Sequence, residues 1–199
     1  MTYLLYIGIF LLGFIAAIII ISLANGPSNA GHVDDYNAAL EKAHQIPTIA
    51  PDSDAEAAAI QAWQEALADL TFPTEKQKTT LGKVYADELF FNDTLKTLRS
   101  GKAVEEHLLA TADLLTSGSV KCFTSSRDEN GDYSIRWEMS YAGPKMNGGE
   151  PIVTIGMTQL RFNEKGEVIY HQDFWDSSTG VFEHIPLVGG LVKFVRGRM

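Results

Sequence analysis

Four strand-like runs in the second half of the chain constrain its fold more than any other feature: Val120–Arg127, Tyr133–Tyr141, Pro151–Phe162 and Val168–Trp175. The breaks between them are short and built from turn formers, Glu129-Asn130-Gly131-Asp132, Asn147-Gly148-Gly149 and Asn163-Glu164-Lys165-Gly166. Asn and Gly supply the backbone conformations that tight hairpins need, so these runs are expected to pair as an antiparallel meander. Ahead of them, Thr74–Glu88 carries Leu81, Val84 and Tyr85 at helical spacing. Leu89–Asn92 reads as a short strand, and Lys102–Thr116 as a helix with Val104, Leu108, Leu109 and Ala112 on one side. Helices followed by such a meander predict an α+β fold, a curved antiparallel sheet wrapped over helices into a cone. A cone encloses a pocket.

The first third of the chain is of another kind. No charged residue occurs from Tyr3 to Leu23, and that run as a helix spans about 31 Å at ~1.5 Å per residue, the thickness of a bilayer core. A cleaved signal peptide ending at Ser22-Leu23-Ala24 is the competing reading. The length of the run, and the lack of any Lys or Arg before it, favour an uncleaved anchor. The expectation is a single-pass integral membrane protein with residues 1–24 as its transmembrane helix. Its orientation stays open, because the first basic residue is Lys42. Residues 25–75 read as an acidic, partly helical linker. Its helices are Val33–Gln45 and Asp52–Leu70, the second capped by Ser53 with Glu56 completing a capping box, and with Ile60, Trp63, Leu67 and Leu70 as a narrow apolar stripe. This helix either docks as a spacer at the edge of its own domain or meets helices of other membrane proteins.

Charge narrows the function. The 199 residues hold 16 Lys+Arg against 25 Asp+Glu, a net −9, and residues 1–75 contain nine of the acids and one base. Nucleic-acid binding is excluded, since phosphate contacts need clustered cations. Cys122 stands alone, which removes an intrachain disulfide or a cysteine metal cluster. His32, His44, His107 and His184 lack metal spacing, and Gly148-Gly149 and Gly189-Gly190 read as turns without a phosphate loop's companions. No metal and no cofactor are expected.

Strand alternation places Ile169, His171, Asp173 and Trp175 on one face of the last strand, and Arg136 and Glu138 together on one face of an earlier one. If both faces point into the cone, they supply two carboxylates and a guanidinium. Burial disfavours a carboxylate's charge and a neighbouring arginine favours it, so such a set can divide into an acid and a base. His171 is an alternative proton carrier, histidine being the residue type that titrates nearest neutrality. The structural alternative is an Arg136–Glu138–Asp173 ion-pair network with His171 as a satisfied core histidine. Trp137, Met139, Phe174 and Trp175 read as core, which in a cone overlaps with pocket lining. Residues 187–199 mix apolar side chains with three basic ones, and either cover the domain as a terminal helix or lie on an anionic membrane surface.

The order Tyr85-Ala86-Asp87-Glu88-Leu89-Phe90-Phe91-Asn92-Asp93, then Gly101-Lys102-Ala103-Val104, Arg136-Trp137-Glu138-Met139, and Gly166-Glu167-Val168-Ile169-Tyr170-His171-Gln172-Asp173-Phe174-Trp175-Asp176 resembles the SnoaL-like branch of the nuclear transport factor 2-like (NTF2-like) superfamily. The likeness covers roughly residues 76–199. Phe182 to Gly190 is similar to the tail of a bacterial subgroup without an assigned activity. The resemblance implies a cone-shaped, often dimeric α+β domain with a hydrophobic pocket. It implies no one reaction, because the superfamily holds isomerases, cyclases, epoxide hydrolases and non-enzymes. Similarity to limonene epoxide hydrolase implies catalytic places for Arg136, Glu138 and Asp173 and a water-holding place for Asn92. Phe90 then stands where that enzyme has a water-binding tyrosine, and Glu138 is one methylene longer than the aspartate it replaces.

The expected site is therefore Asp173, Arg136, Glu138 and His171 for chemistry, and Asn92, Phe90, Trp137 and Trp175 for ligand contact. The expected function is a membrane-anchored domain that binds a lipophilic small molecule. The alternatives are an accessory subunit of a membrane complex with a filled pocket, and a cofactor-free hydrolase or isomerase. Expected partners are the membrane through residues 3–23, membrane proteins through the anchor and linker helices, and a second copy of the chain.

Overall fold

The computed structural model describes residues 30–185 and 188–199. The chain divides into two units, Met1–Ala38 and Ala39–Met199, and the site lies in the second. The expected anchor at Tyr3–Leu23 falls outside the described residues. Among the described residues no helix is long and apolar enough to cross a membrane.

The elements in chain order are α1 (Ala30–His44), α2 (Asp54–Leu67), α3 (Glu75–Val84), β1 (Tyr85–Asn92), β2 (Thr97–Leu98), α4 (Gly101–Ala112), β3 (Ser117–Arg127), β4 (Tyr133–Ala142), β5 (Ile152–Phe162), β6 (Val168–Trp175) and α5 (Val188–Arg196). Side-chain caps start the helices. Ser53 Oγ accepts from the Glu56 amide at 3.1 Å, and Glu56 Oε2 accepts from the Asp52 amide, so the expected capping box closes one residue further back. Thr74 and Ser100 cap α3 and α4 in the same way, through Gln77 and Ala103. Helix α3 ends at Val84, four residues short of the expected Glu88, because Tyr85 already pairs with Val168 in the sheet. Gly189 and Gly190 lie inside α5 rather than in a turn.

The six strands form one sheet in the order β2-β1-β6-β5-β4-β3. The meander β3 to β6 is antiparallel, as the turn chemistry predicts. The sheet as a whole is mixed, however, since β1 runs parallel to β6 with Phe91 beside His171 and Asn92 beside Gln172. A parallel pair needs a long crossover, and here α4 and the whole meander lie between the partners. Alternation of side chains carries no information about strand direction, so this pairing was invisible in the sequence.

One face of the sheet closes over the helices. Tyr133, Ile135, Leu160, Phe162 and Val168 meet Leu81 of α3 and Val104 of α4 in the core. Helix α2, expected as part of a linker, contributes Ala59, Trp63, Ala66 and Leu67 to that core, with Trp63 only 1% exposed. The segment before α2 is tied down by Arg161. Its Nε donates to the Ala43 carbonyl (3.0 Å), its Nη2 to the Ile46 carbonyl (3.3 Å), and its Nη1 to Asp132 (3.0 Å). The opposite face of the sheet presents Phe123, Val153, Ile155, Met157 and Phe174 to the outside. Phe174, expected in the core, therefore stands on the exposed face.

Candidate ligand cavity

Between the sheet's inner face and the helices lies a cavity of about 360 Å³. Its wall is largely aromatic and aliphatic, with Trp63, Phe72, Phe91, Trp137, Tyr141 and Trp175 as the large rings. All three tryptophans of the chain line it. The walls are brought together by register: Trp137, Gly156 and Trp175 stand opposite one another across β4, β5 and β6. Only glycine fits the middle place, because a Cβ there would overlap the Trp137 ring and come within 2.8 Å of the Trp175 Cβ.

The polar groups gather where β1 meets β6. His171, 2% exposed, has its Nε2 3.0 Å from Asp173 Oδ1 and its Nδ1 3.2 Å from the Tyr85 hydroxyl. The same Asp173 oxygen accepts from Thr158 Oγ1, which accepts from the Trp137 indole N–H at 2.8 Å. Oδ1 thus takes both protein donors, and Asp173 Oδ2 has no hydrogen-bond partner among the described residues. Burial pushes the Tyr85 hydroxyl well above the usual tyrosine range. The nearby Trp63 indole acts against that rise, while the charges of Asp173 and Asp93 add to it. A phenol so held keeps its proton and donates it, which fits His171 Nδ1 as the acceptor.

A second carboxylate–imidazole pair completes the group. Asp93 follows Asn92 at the end of β1 as Asp173 follows Gln172 in β6, so the parallel register brings the two acids to the same end of the β1–β6 pair. Asp93 Oδ2 lies 2.8 Å from His107 Nε2 of α4, and Oδ1 accepts the amides of Leu95 and Lys96. The Asp93 carbonyl accepts from the Trp175 indole at 2.9 Å. The Phe91 ring lies between the two histidines, 4.5 Å from the His171 ring and 6.3 Å from the His107 ring.

Four of the eight residues expected in the site line the cavity: Asp173, His171, Trp137 and Trp175. The other four lie elsewhere. Arg136 and Glu138 share a face, as alternation requires, but it is the outer one. There Arg136 sits over the Phe123 ring at 5.3 Å, and Glu138 pairs across to Lys121 and Ile155. Phe90 points away from its neighbour Phe91, stacking on Tyr170 at 5.1 Å under the Arg99 guanidinium. Asn92 is a scaffold residue: its amide donates to Thr97 Oγ1 (2.8 Å), and its carbonyl accepts from Thr94 N (2.8 Å) and Gln172 Nε2 (3.1 Å). Neither the Arg136–Glu138–Asp173 ion-pair network nor the hydrolase-like triad forms. The residues missed were Trp63, Tyr85, Asp93, Thr158 and His107. Among the described residues no three His, Cys, Asp or Glu side chains gather as a metal site.

A cone of helices under a six-stranded mixed sheet, opening on a polar cluster between the first and last long strands, is the NTF2-like architecture, and SnoaL-like proteins are among its solved relatives in fold. Three of these illustrate the range. An NTF2-like protein of unknown function from Exiguobacterium sp. 255-15 is 16% identical, with 59% of this chain and 98% of that one covered and a TM-score of 0.52. An LEH-like epoxide hydrolase of M. tuberculosis is 16% identical, with 74% and 99% covered and a TM-score of 0.52. A candidate SnoaL-like polyketide cyclase of Shewanella denitrificans OS-217 is 17% identical, with 64% and 94% covered and a TM-score of 0.52. No family model and no curated protein matches the sequence.

Proposed function

We propose that the protein binds a lipophilic small molecule inside the cone and is held at a membrane by residues 3–23. The cavity carries the first part. At about 360 Å³ it falls within the span of small-molecule sites, and its wall combines many apolar side chains with a few convergent polar ones. The accessory-subunit alternative expected a pocket filled by the protein's own side chains, and the open volume argues against that. An acid/base enzyme without a cofactor is the second reading. It is favoured by Asp173, whose one oxygen is fixed by two donors while the other is left to take a proton. The fold relatives named as an epoxide hydrolase and a candidate cyclase are in keeping with it.

The test uses the full chain in lipid nanodiscs, with 4-phenylbutan-1-ol as the probe and tryptophan emission as the signal. Saturable quenching is expected. It should be lost in Val120→Phe, which fills the cavity, and kept in Arg136→Ala and Glu138→Gln, which change the opposite face. A saturable response indifferent to Val120→Phe would remove the cavity as the binding site. Release of the chain from membranes by an alkaline carbonate wash would remove the anchor.

A further inference from the structure

The hydrogen-bond inventory of the cavity wall is one-sided. Its hydroxyl protons are used within the wall or its backbone: Tyr85 toward His171 Nδ1, Thr158 to Asp173, Thr111 to the His107 carbonyl and Tyr141 to the Gly180 carbonyl. Two of the three indole N–H groups are used as well, Trp137 on Thr158 and Trp175 on the Asp93 carbonyl. The third, on Trp63, makes no hydrogen bond of good geometry and lies against the Tyr85 oxygen. Apart from that buried indole, what the wall retains is a carboxylate oxygen. Asp173 Oδ2 has no partner among the described residues.

Charge points the same way. Asp93, just past the end of β1, and Asp173, on the adjacent β6, both line the cavity, and no Lys or Arg is among the described residues that line it. The partners of the two acids are imidazoles, a hydroxyl and backbone amides. Trp137, Trp175 and Phe91 line the cavity with the two acids, and aromatic rings attract cations. A carboxylate-headed molecule would meet two acidic side chains in a poorly screened space, and an alcohol offers one donor and no charge. An ammonium offers three donors and the opposite charge.

We propose that the cavity's ligand is a lipophilic amine, bound as the ammonium ion with its nitrogen at Asp173 Oδ2 and its apolar body among the tryptophans. This rests on the cavity-binding reading above and names the chemistry of what binds there. The two are separated by three probes with one apolar body and different heads: 4-phenylbutylamine, 4-phenylbutan-1-ol and 4-phenylbutyrate. Each is titrated into the full chain in zwitterionic nanodiscs, with tryptophan emission corrected against empty discs. The amine is expected to bind at least about tenfold more tightly than the alcohol, and the carboxylate most weakly. Asp173→Asn should bring amine and alcohol to within about threefold of each other by weakening the amine alone. The ranking in the unaltered chain decides the matter even if that variant fails to fold. Alcohol or carboxylate binding as tightly as the amine overturns the amine assignment and leaves the cavity reading standing. No saturable binding by any of the three overturns both.

Discussion

Arg161 offers a sharp test of how the unit is held together. It is on the outward-facing side of β5, yet only 4% exposed, because the segment between α1 and α2 folds over it. Replacing it with methionine keeps most of the side-chain volume, so the loss is electrostatic rather than a void. Asp132, whose side chain is 5% exposed, would lose its arginine and keep only Gln159 and His44. The carbonyls of Ile46 and Asn130 would lose their arginine donor, and that of Ala43 would keep only the Ile46 amide. Breaking a buried ion pair from one side costs about 3–5 kcal/mol. For a unit of this size about 1 kcal/mol shifts the midpoint by roughly 2–4 °C, so Arg161→Met should lower Tm by roughly 6–20 °C. The assay is thermal unfolding of the full chain followed by tryptophan emission. A double variant, R161M/D132N, should be no less stable than R161M, since it removes the stranded charge as well. A Tm for R161M within about 2 °C of the parent, or strictly additive effects in the double variant, would refute the reasoning.

Two other outcomes follow from packing and burial. Gly156→Ala should destabilise by about 1–3 kcal/mol and alter tryptophan emission, because the added methyl competes with the Trp137 ring and the Trp175 Cβ; unchanged stability and emission would mean that the wall is loosely packed there. Burial pushes the Tyr141 hydroxyl up to about 12, and burial together with the bond to Glu56 does the same for Tyr133. A group whose value is raised by folding contributes stability that is fully present below the ordinary tyrosine value of 10.0 and is lost as pH rises through about 12. Phenolate absorbance should therefore show a late component that shrinks in Tyr133→Phe and in Tyr141→Phe, with Tyr85 still raised in both, and a single step near the ordinary value would contradict the burial.

The meander was legible because period-two alternation and Asn/Gly turns are local properties. The parallel seating of β1 was not, since it is decided by a partner 80 residues away. Helix α2 reads as a solvated spacer from its alanines and acids, yet Trp63 carries it into the core, and one large side chain outweighs a narrow stripe. The Arg136–Glu138 face was correctly grouped and wrongly aimed. The deciding signal stood beside it: Tyr133, Ile135, Trp137, Met139 and Tyr141 alternate with that pair, and the bulky apolar set takes the inner side. Asp93 ended a run already recognised as strand-like, but His107 reaches it from α4 by a tertiary contact that no spacing in the sequence announces.

The joining of β1 to β6 also sets a timetable. Strands β3 to β6 pair with neighbours in sequence and can form as each hairpin leaves the ribosome, whereas Asp93 and His107 must wait for the last long strand before Asp173 and His171 exist beside them. Until then, Phe91 lacks the His171 neighbour beside it in the finished sheet. A chain whose synthesis halts before Val168 presents an open sheet edge and no site. The polar end of the cavity wall is thus assembled late, once the last long strand seats beside the first.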